Sequence, residues 1–317
     1  MTDQNSTVRC VLDIRDLTVA YQKGGEWLDA VHEVLLQIHE GETYGLVGES
    51  GSGKTTLVSA AMRYLGSAGS IRSGEIHLGD INLMSLTDDE LRQVWGSKIA
   101  FVPQNPQSSL NPTLRLGEQL VEAINPRGSL APTNAKKLAL EWCTKVNLPD
   151  PERLVEIYPH QISGGMQQRF LIAMALCTDP DLLILDEPTT NLDVTTQVVI
   201  LDLLKDLIRE HDTGVLYVTH NLGVIAQICN RVGVMYASEL IEEAPTQDLF
   251  SQALHHYTQG LMDSIPQLGD TQENIQLRAI SGQIPAIGKN PAGCVFRDRC
   301  PVAVEICSTR PPLYQVG

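Results

Sequence analysis

The sequence predicts an α/β fold built on a mostly parallel sheet, and two kinds of observation support this prediction. Short apolar segments such as 43–47 and 182–185 alternate with longer segments of helical periodicity such as 194–211. This alternation is typical of parallel strands that are covered by helices on both faces. A glycine-rich loop at 48–55 joins a predicted strand to a predicted helix, which is the local setting of a phosphate-binding loop. We therefore expect a P-loop α/β core.

The order of the elements follows from periodicity and from the positions of proline and glycine. Helices are predicted at 55–65, 87–95, 116–124, 134–146, 165–177, 194–211 and 222–228, and strands at 11–21, 31–38, 43–47, 98–103, 181–185, 214–218 and 231–236. The short helix near residue 90 opens with a capping box, Thr87 to Glu90. Proline-rich loops separate the helices between about 105 and 178, so we expect a helical insert there. The regular pattern fades after Ala253.

Composition narrows the class of protein. The 317 residues suffice for one large domain with a small appendage, and 43% are hydrophobic. The formal charge of −15 argues against nucleic acid as the main partner. No apolar run reaches the length of a membrane span, and the N-terminus lacks the basic start and apolar run of a signal peptide. The expected compartment is the cytoplasm.

Residues 48–55 fit the pattern G-x-x-x-x-G-K followed by Ser or Thr. Glycines let backbone amides face phosphates, Lys54 is expected to reach the β- and γ-phosphates, and the hydroxyl of Thr55 is expected to bind Mg²⁺. The alternative is a glycine-rich turn with a chance lysine, but the flanking strand and helix favour the phosphate loop. The candidate ATP-binding residues are Gly48, Ser50, Gly51, Ser52, Gly53, Lys54, Thr55 and Thr56.

Two carboxylates follow the apolar run at 182–185. A carboxylate at the end of a buried strand requires a cation or hydrogen-bond donors. We expect Asp186 to bind Mg²⁺ and Glu187 to act as the general base that polarises the attacking water. The alternative is a surface Asp-Glu turn before Pro188.

Residues 158–169 read YPHQISGGMQQR and resemble the signature sequence of the ABC (ATP-binding cassette) ATPases. Ser163, Gly164 and Gly165 open a helix, where a hydroxyl and amide groups can face an anion. The resemblance implies that these three residues complete the ATP site of a partner subunit. It also implies the P-loop ABC ATPase fold, with a RecA-like core, an antiparallel β-subdomain, a helical insert and here a small cysteine-containing C-terminal extension.

Four more residues match family motifs in the expected order. Tyr21 resembles the aromatic residue that stacks on adenine, although an ordinary strand aromatic is the alternative. Gln104 resembles the glutamine that contacts Mg²⁺ and the attacking water. Asp193 resembles the aspartate of the loop that crosses the dimer interface. His220 resembles the histidine that holds the γ-phosphate.

Within the family, the chain resembles the subunits of oligopeptide, dipeptide and nickel importers. The stretches that carry this resemblance are 104–112, 158–161, 256–261 and 293–301. The resemblance implies peptide import, with nickel or another small solute as the alternative. A soluble ABC ATPase of DNA repair or translation is a weaker alternative, because the gap between Lys54 and Ser163 is short and the chain has a single cassette. The C-terminal stretches 256–261 and 293–301, which resemble those of peptide importers, argue against an exporter ATPase.

The resemblance also implies partners and boundaries. Expected partners are a second ATPase subunit, forming a heterodimer, two membrane permeases and an extracytoplasmic solute-binding protein. The chain is expected to bind peripherally to the cytoplasmic face of the inner membrane. We expect an ATP-binding domain at 1–253, with its helical subdomain at about 105–178, and an extension at 254–317.

The tail contains three clustered cysteines, Cys294, Cys300 and Cys307. In the cytoplasm, such a cluster indicates metal rather than disulfides. Four thiolates would suit a 4Fe-4S cluster, which the resemblance favours, or zinc, and the tail supplies three. The resemblance implies a further cysteine beyond residue 317, so a truncated sequence is one interpretation and an untruncated one is the other. A small fold with buried unmetallated thiols is the open alternative.

Overall fold

The structure is a computed structural model, and it describes residues 8–190, 192–264 and 280–316. The chain is divided into two compact units. The first contains 38–42, 85–217 and the described residues before Leu12. The second contains 12–37, 43–84 and the described residues from Val218 onward.

The elements are numbered along the chain. The strands are β1 (Cys10–Lys23), β2 (Glu26–His39), β3 (Thr43–Val47), β4 (Gly69–Leu78), β5 (Ile81–Asn82), β6 (Ile99–Val102), β7 (Leu182–Asp186), β8 (Gly214–Val218), β9 (Arg231–Tyr236) and β10 (Glu239–Pro245). The helices are α1 (Lys54–Ala61), α2 (Asp88–Val94), α3 (Leu116–Ile124), α4 (Pro132–Lys145), α5 (Pro151–Leu154), α6 (Gly164–Leu176), α7 (Val194–His211), α8 (Leu222–Ile228), α9 (Thr246–Ser251) and α10 (His256–Asp263).

The first unit combines three adjacent strands with most of the helices. Its strands lie in the order β8-β7-β6, and β6 pairs in parallel with β7 from Ile99 opposite Leu182 to Val102 opposite Leu185. The four apolar residues of β7 are fully buried, which explains their continuous apolar run. Helices α3, α4 and α6 pack on one another. Asp186 therefore ends a strand that is anchored in the core.

The second unit contains two strand groups. Strands β2-β1-β4-β5 form an antiparallel sheet in that order, with β1 and β5 both antiparallel to β4. Strands β10-β9-β3 are adjacent; β3 is parallel to β9 and β10 is antiparallel to it. All five residues of β3 are buried, and the chain leaves this strand directly into the phosphate loop.

Most predicted elements are confirmed, and a few are corrected. Helix α1 ends at Ala61 rather than near residue 65, because Arg63 adopts a positive φ of 54° that right-handed helices exclude. The prediction that regular structure fades after Ala253 is wrong for α10. This helix was missed because it contains the glycine at 260, and glycine has a low helix propensity. Strands β4, β5 and β10 and helices α5 and α9 were not predicted.

Candidate nucleotide site

The phosphate loop, Gly48–Thr55, turns sharply between β3 and α1 in the second unit. Gly48, Gly51 and Gly53 have φ values of 152°, 83° and 108°, which side chains disfavour. A Cβ on Gly53 would lie 2.5 Å from the carbonyl oxygen of Ala30, so this position also lacks room for a side chain. The loop geometry thus requires the glycines that the motif predicts.

The end of this loop has the chemistry of an anion site. No side chain caps the start of α1, because Gly53 occupies the cap position. The buried hydroxyl of Ser52 has no hydrogen-bond partner among the described residues. The buried ammonium of Lys54 donates to the carbonyl of Gly48 at 2.7 Å and to that of Glu49 at 3.0 Å. These groups fit a polyphosphate.

The remaining residues of the predicted loop lie at its surface. Ser50 and Thr55 are exposed, and Thr56 is half-buried in the first turn of α1. The position of Thr55 as the second residue of the helix leaves its hydroxyl accessible to a ligand of the loop. Its role as a Mg²⁺ ligand stays a prediction.

Tyr21 and His220 also belong to the second unit. Tyr21, on β1, is the register partner of Gly69 on β4, and a Cβ on Gly69 would lie 2.8 Å from its ring. The ring therefore covers a glycine of the neighbouring strand, and stacking on adenine stays a prediction. His220 is exposed directly after β8, beside Asn221, whose side chain caps α8 by accepting from the amide of Gly223 at 2.9 Å.

Glu187 follows β7 in the first unit and has a strained backbone. Its φ of 48° lies in the left-handed region, where a non-glycine residue is uncommon. One oxygen of its carboxylate, Oε2, accepts from Nε2 of Gln104 at 3.0 Å and from Oγ1 of Thr190 at 3.0 Å. The structure thus joins two of the predicted residues and adds Thr190, which sequence reasoning missed.

The signature residues open α6 in the first unit. The hydroxyl of Ser163 caps the helix and accepts from the amide of Met166 at 3.4 Å. A Cβ on Gly164 would meet no described residue within 4 Å, whereas a Cβ on Gly165 would lie 2.6 Å from Cγ2 of Thr196. Gly164 therefore faces open space, and Gly165 allows close packing against α7.

Asp193 caps α7. Its carboxylate accepts from the amide of Thr196 at 3.0 Å and from its hydroxyl at 2.7 Å. These hydrogen bonds lower the pKa of Asp193. Because Thr196 contacts both Asp193 and Gly165, one side chain joins the two predicted motifs. Asn191, in the same loop, lies outside the described residues.

An open cleft of about 290 Å³ joins the Gln104 loop to the start of α6. Gln104, Gly164, Gln168 and Leu192 are among the residues that line it. The proposed Mg²⁺ ligand Asp186 ends β7 in this same unit, whereas Thr55 belongs to the other unit. A shared Mg²⁺ site of Thr55, Gln104 and Asp186 stays a prediction.

The cysteines of the tail lie in the second unit. None of the seven cysteines, all within the described ranges, forms a disulfide. The amide of Cys294 donates to the carbonyl of Cys307 at 2.9 Å, and burial raises the pKa of the Cys294 thiol. Within residues 8–190, 192–264 and 280–316, no group of three His, Cys, Asp or Glu side chains is arranged to hold a metal ion. Cys294, Cys300 and Cys307 do not form one.

Comparison with known proteins decides the family. A family model described as "ABC transporter" matches residues 31–190. A putative peptide import ATP-binding protein of Brucella melitensis is 41% identical over 97% of this chain and 94% of its own length. The chain belongs to the ABC transporter family. A second family model, "Oligopeptide/dipeptide transporter, C-terminal region", matches residues 241–307 of this ABC ATPase.

Other relatives and solved structures agree with this assignment. The dipeptide transport ATP-binding protein DppD of Bacillus subtilis is 41% identical over 94% of this chain and 88% of its own length. The oligopeptide transport ATP-binding protein OppD of the same organism is 39% identical over 97% and 86%. The ATP-binding cassette MJ0796, in a dimeric structure bound to ADP and Pi, matches with a TM-score of 0.66 and 32% identity. That match covers 74% of this chain and 98% of MJ0796, and it shows the ABC ATPase fold.

Across the described parts of this ABC ATPase, no helix combines the length and apolarity needed to cross a bilayer.

Proposed function

We propose that the chain is the ATP-binding and ATP-hydrolysing subunit of an ABC transporter that imports peptides. Three relatives, one named for peptide import and two for dipeptide or oligopeptide transport, match almost the whole chain at 39–41% identity. The match of residues 241–307 to the C-terminal region of oligopeptide/dipeptide transporters supports the same branch. Nickel or another small solute is the alternative cargo.

One observation supports the proposal of ATP hydrolysis: the carboxylate of Glu187 is held in a defined orientation. Gln104 and Thr190 each donate to its Oε2 at 3.0 Å, so the carboxylate is held by two donors at the end of a buried strand. A fixed carboxylate can accept a proton from water during attack on the γ-phosphate. We assign Glu187 as the general base and His220 as the residue that holds the γ-phosphate.

The phosphate loop supplies the binding energy in this proposal. Lys54 would exchange its bonds to the carbonyls of Gly48 and Glu49 for bonds to phosphate oxygens. The hydroxyl of Ser52 would gain the partner that it lacks among the described residues. The adenine ring would stack on Tyr21. A loop that is already turned for the anion loses little entropy on binding.

Magnesium fits the donor chemistry of three residues. The hydroxyl of Thr55, the amide oxygen of Gln104 and the carboxylate of Asp186 are oxygen ligands of the kind that Mg²⁺ prefers. Bound there, the ion would neutralise charge on the phosphates. Asp186 stands at the end of β7, where a carboxylate needs a cation or donors.

The assembly follows from the same branch of the family. We propose that a second ATPase subunit pairs with this chain, so that Ser163, Gly164, Gly165 and Asp193 face the partner's nucleotide. The dimeric cassettes of MJ0796 support pairing. We propose a heterodimer, two permeases and an extracytoplasmic solute-binding protein, with the ATPases peripheral at the cytoplasmic face of the inner membrane.

The domain boundaries in this proposal rest on the sequence. We place the ATP-binding domain at 1–253, with its helical subdomain at about 105–178, and the C-terminal extension at 254–317.

The iron–sulfur or zinc site at the tail cysteines is not supported by the arrangement of the described residues. No step of the proposed function passes through such a group. Metal analysis of the purified chain tests directly whether the tail cysteines bind iron or zinc.

Uptake in cells tests the transport proposal. Cells carry the native chain, Glu187→Gln, or the matched control Glu152→Gln, which changes an exposed glutamate of α5. Labelled dipeptide, a longer labelled peptide and nickel are supplied separately. We expect Glu187→Gln to abolish peptide uptake and the control to retain it. Loss of nickel uptake alone would transfer the chain to the metal branch, and unchanged uptake of all three in cells without a second importer would contradict both.

A further inference from the structure

Glu49, the second residue of the phosphate loop, is held at three of its groups within the second unit. Its carbonyl oxygen accepts from Lys54 Nζ at 3.0 Å and from the amide of Ser52 at 3.2 Å. Its amide donates to Oη of Tyr257 at 2.9 Å. Its carboxylate pairs with Nη1 of Arg299 at 3.0 Å. Two of these four partners therefore come from the C-terminal part of the chain.

Arg299 is fixed by its own surroundings. Its side chain is only 6% exposed, and its guanidinium donates to the carbonyls of Ser281 at 2.9 Å and Ile280 at 3.3 Å. It also donates to the hydroxyl of Tyr236 at 3.3 Å. A guanidinium held by several acceptors presents its charge at a defined position. Glu49 consequently meets a fixed cation.

The two C-terminal partners of Glu49 belong to one aromatic cluster. Ring centroids are 4.6 Å apart for Tyr236 and Tyr257, 5.3 Å for Tyr236 and Phe296, and 5.5 Å for Tyr257 and Phe296. The guanidinium of Arg299 lies over Tyr236 and Phe296, at 5.6 Å and 6.0 Å from their centroids. Aromatic pairs of this geometry are favourable and well ordered. The cluster therefore fixes both groups that hold Glu49.

A carboxylate in a phosphate loop poses an electrostatic problem. The loop binds an anion, and a nearby unpaired negative charge would repel it. Glu49 is the acidic residue of the loop at 48–55, and its side chain is 29% exposed, so its charge is only partly screened by solvent. A buried arginine paired with it offsets that charge and keeps the carboxylate turned toward the C-terminal segment.

We propose that Arg299 is a positioning residue for the phosphate loop, which it keeps competent for nucleotide phosphates by neutralising and anchoring Glu49. The inference rests on the proposed function, since it concerns ATP binding at the same loop. It assigns a task to the C-terminal segment that the signature and phosphate-loop motifs do not describe. The proposed role of Arg299 is electrostatic. It can be distinguished from a packing role, because Glu49→Gln should compensate for the loss of Arg299 only if the role is electrostatic.

The test is a double-mutant cycle on the full chain, with ATP binding measured by calorimetry. Arg299→Gln should raise the Kd for ATP about tenfold, because it leaves Glu49 unpaired beside the phosphates. Glu49→Gln should stay within about threefold of the native chain. Glu49→Gln combined with Arg299→Gln should restore binding to the level of Glu49→Gln. Arg310→Gln is the matched control, since Arg310 is another tail arginine, paired with Glu239 at 3.0 Å.

The outcomes separate the inference from the proposed function. A double variant as weak as Arg299→Gln would mean a packing role and would overturn the inference, as would an Arg299→Gln that binds like Arg310→Gln. If the native chain and Lys54→Ala bind ATP equally, the phosphate-loop proposal itself fails. Should Arg299→Gln not fold, Glu49→Asp breaks the pair from the loop side. A raised Kd then supports the inference and an unchanged Kd contradicts it.

Discussion

The hydroxyl of Thr190 lies 3.0 Å from Oε2 of Glu187, the same carboxylate oxygen that Gln104 contacts. Thr190 comes three residues after Glu187, so a short turn fixes the carboxylate locally while Gln104 reaches it from a distant loop. Gln104 is also a proposed Mg²⁺ ligand. Thr190 has no such second role in the proposal. A substitution of Thr190 therefore tests the orientation of Glu187 without removing a proposed Mg²⁺ ligand.

Thr190→Val should therefore lower ATP turnover while leaving ATP affinity nearly unchanged. The substitution keeps the shape of the side chain and removes the hydrogen bond that Thr190 donates to the carboxylate. We expect kcat to fall roughly tenfold, because a misplaced catalytic group loses part of its proximity advantage. Steady-state phosphate release and ATP binding measured on one preparation check this. Unchanged kcat would show that Thr190 does not orient Glu187.

Lys54→Ala should weaken ATP binding itself. The ammonium is buried and already turned toward the loop carbonyls, so it is placed to bond phosphate oxygens. Losing a charge-assisted contact of this kind is expected to raise the Kd by roughly tenfold to a hundredfold. Lys98→Ala, which removes a surface partner of Asp181, is the control. Equal ATP affinity of the two variants would count against the phosphate loop.

Gly165→Ala should destabilise the fold, and Thr196→Ser should rescue it. The added Cβ would lie 2.6 Å from Cγ2 of Thr196, and overpacking of this kind costs about 1–3 kcal/mol. Serine removes that methyl group but keeps the hydroxyl that bonds to Asp193.

Thermal unfolding of the Gly165→Ala chain, with and without Thr196→Ser, measures this rescue. Gly164→Ala is the matched control, because its Cβ would meet no atom of the described part of the chain within 4 Å. We expect Gly164→Ala to unfold at or above the native temperature. A Gly165→Ala chain as stable as Gly164→Ala would refute the predicted clash.

Glu239 gives a pH-dependent term in stability. Burial raises its pKa from 4.5 to about 7, although Arg310 opposes the shift and Glu33 adds to it. A raised folded-state pKa contributes stability that is complete below pH 4.5 and is lost as pH rises through about 7.

Glu239→Gln should remove this dependence. The free energy of unfolding of the native chain, relative to Glu239→Gln, should decline between pH 5 and pH 8, and denaturant titrations at several pH values measure it. Because the change also removes the pair with Arg310, Arg310→Gln is compared in parallel. A constant difference across this range would contradict the prediction.

Local sequence predicted the central elements and the phosphate loop well. Strand β3 and helices α3 and α7 were predicted with their observed bounds, because apolar periodicity and caps such as Asp193 are local signals. The family motifs likewise located Gln104 and Glu187, whose mutual hydrogen bond the structure adds. Strand β4 escaped prediction, since its serines and glycines resemble a turn.

The supporting residues could not be predicted in the same way. Thr190 and Thr196 act through hydrogen bonds and packing that periodicity does not register. Arg299 pairs with Glu49 across 250 positions, and no local pattern links residues so far apart. Such contacts depend on tertiary placement, which a single sequence leaves undetermined.

The left-handed backbone of Glu187 has a consequence for any lineage selected only for heat resistance. A non-glycine residue in that region carries strain of about 1 kcal/mol, which a glycine would relieve. In the proposed role of Glu187 as general base, its replacement by glycine would thus be tolerated by the fold and would abolish turnover. Directed evolution that screens for soluble, heat-stable chains without an activity assay would drift toward inert ones at this position.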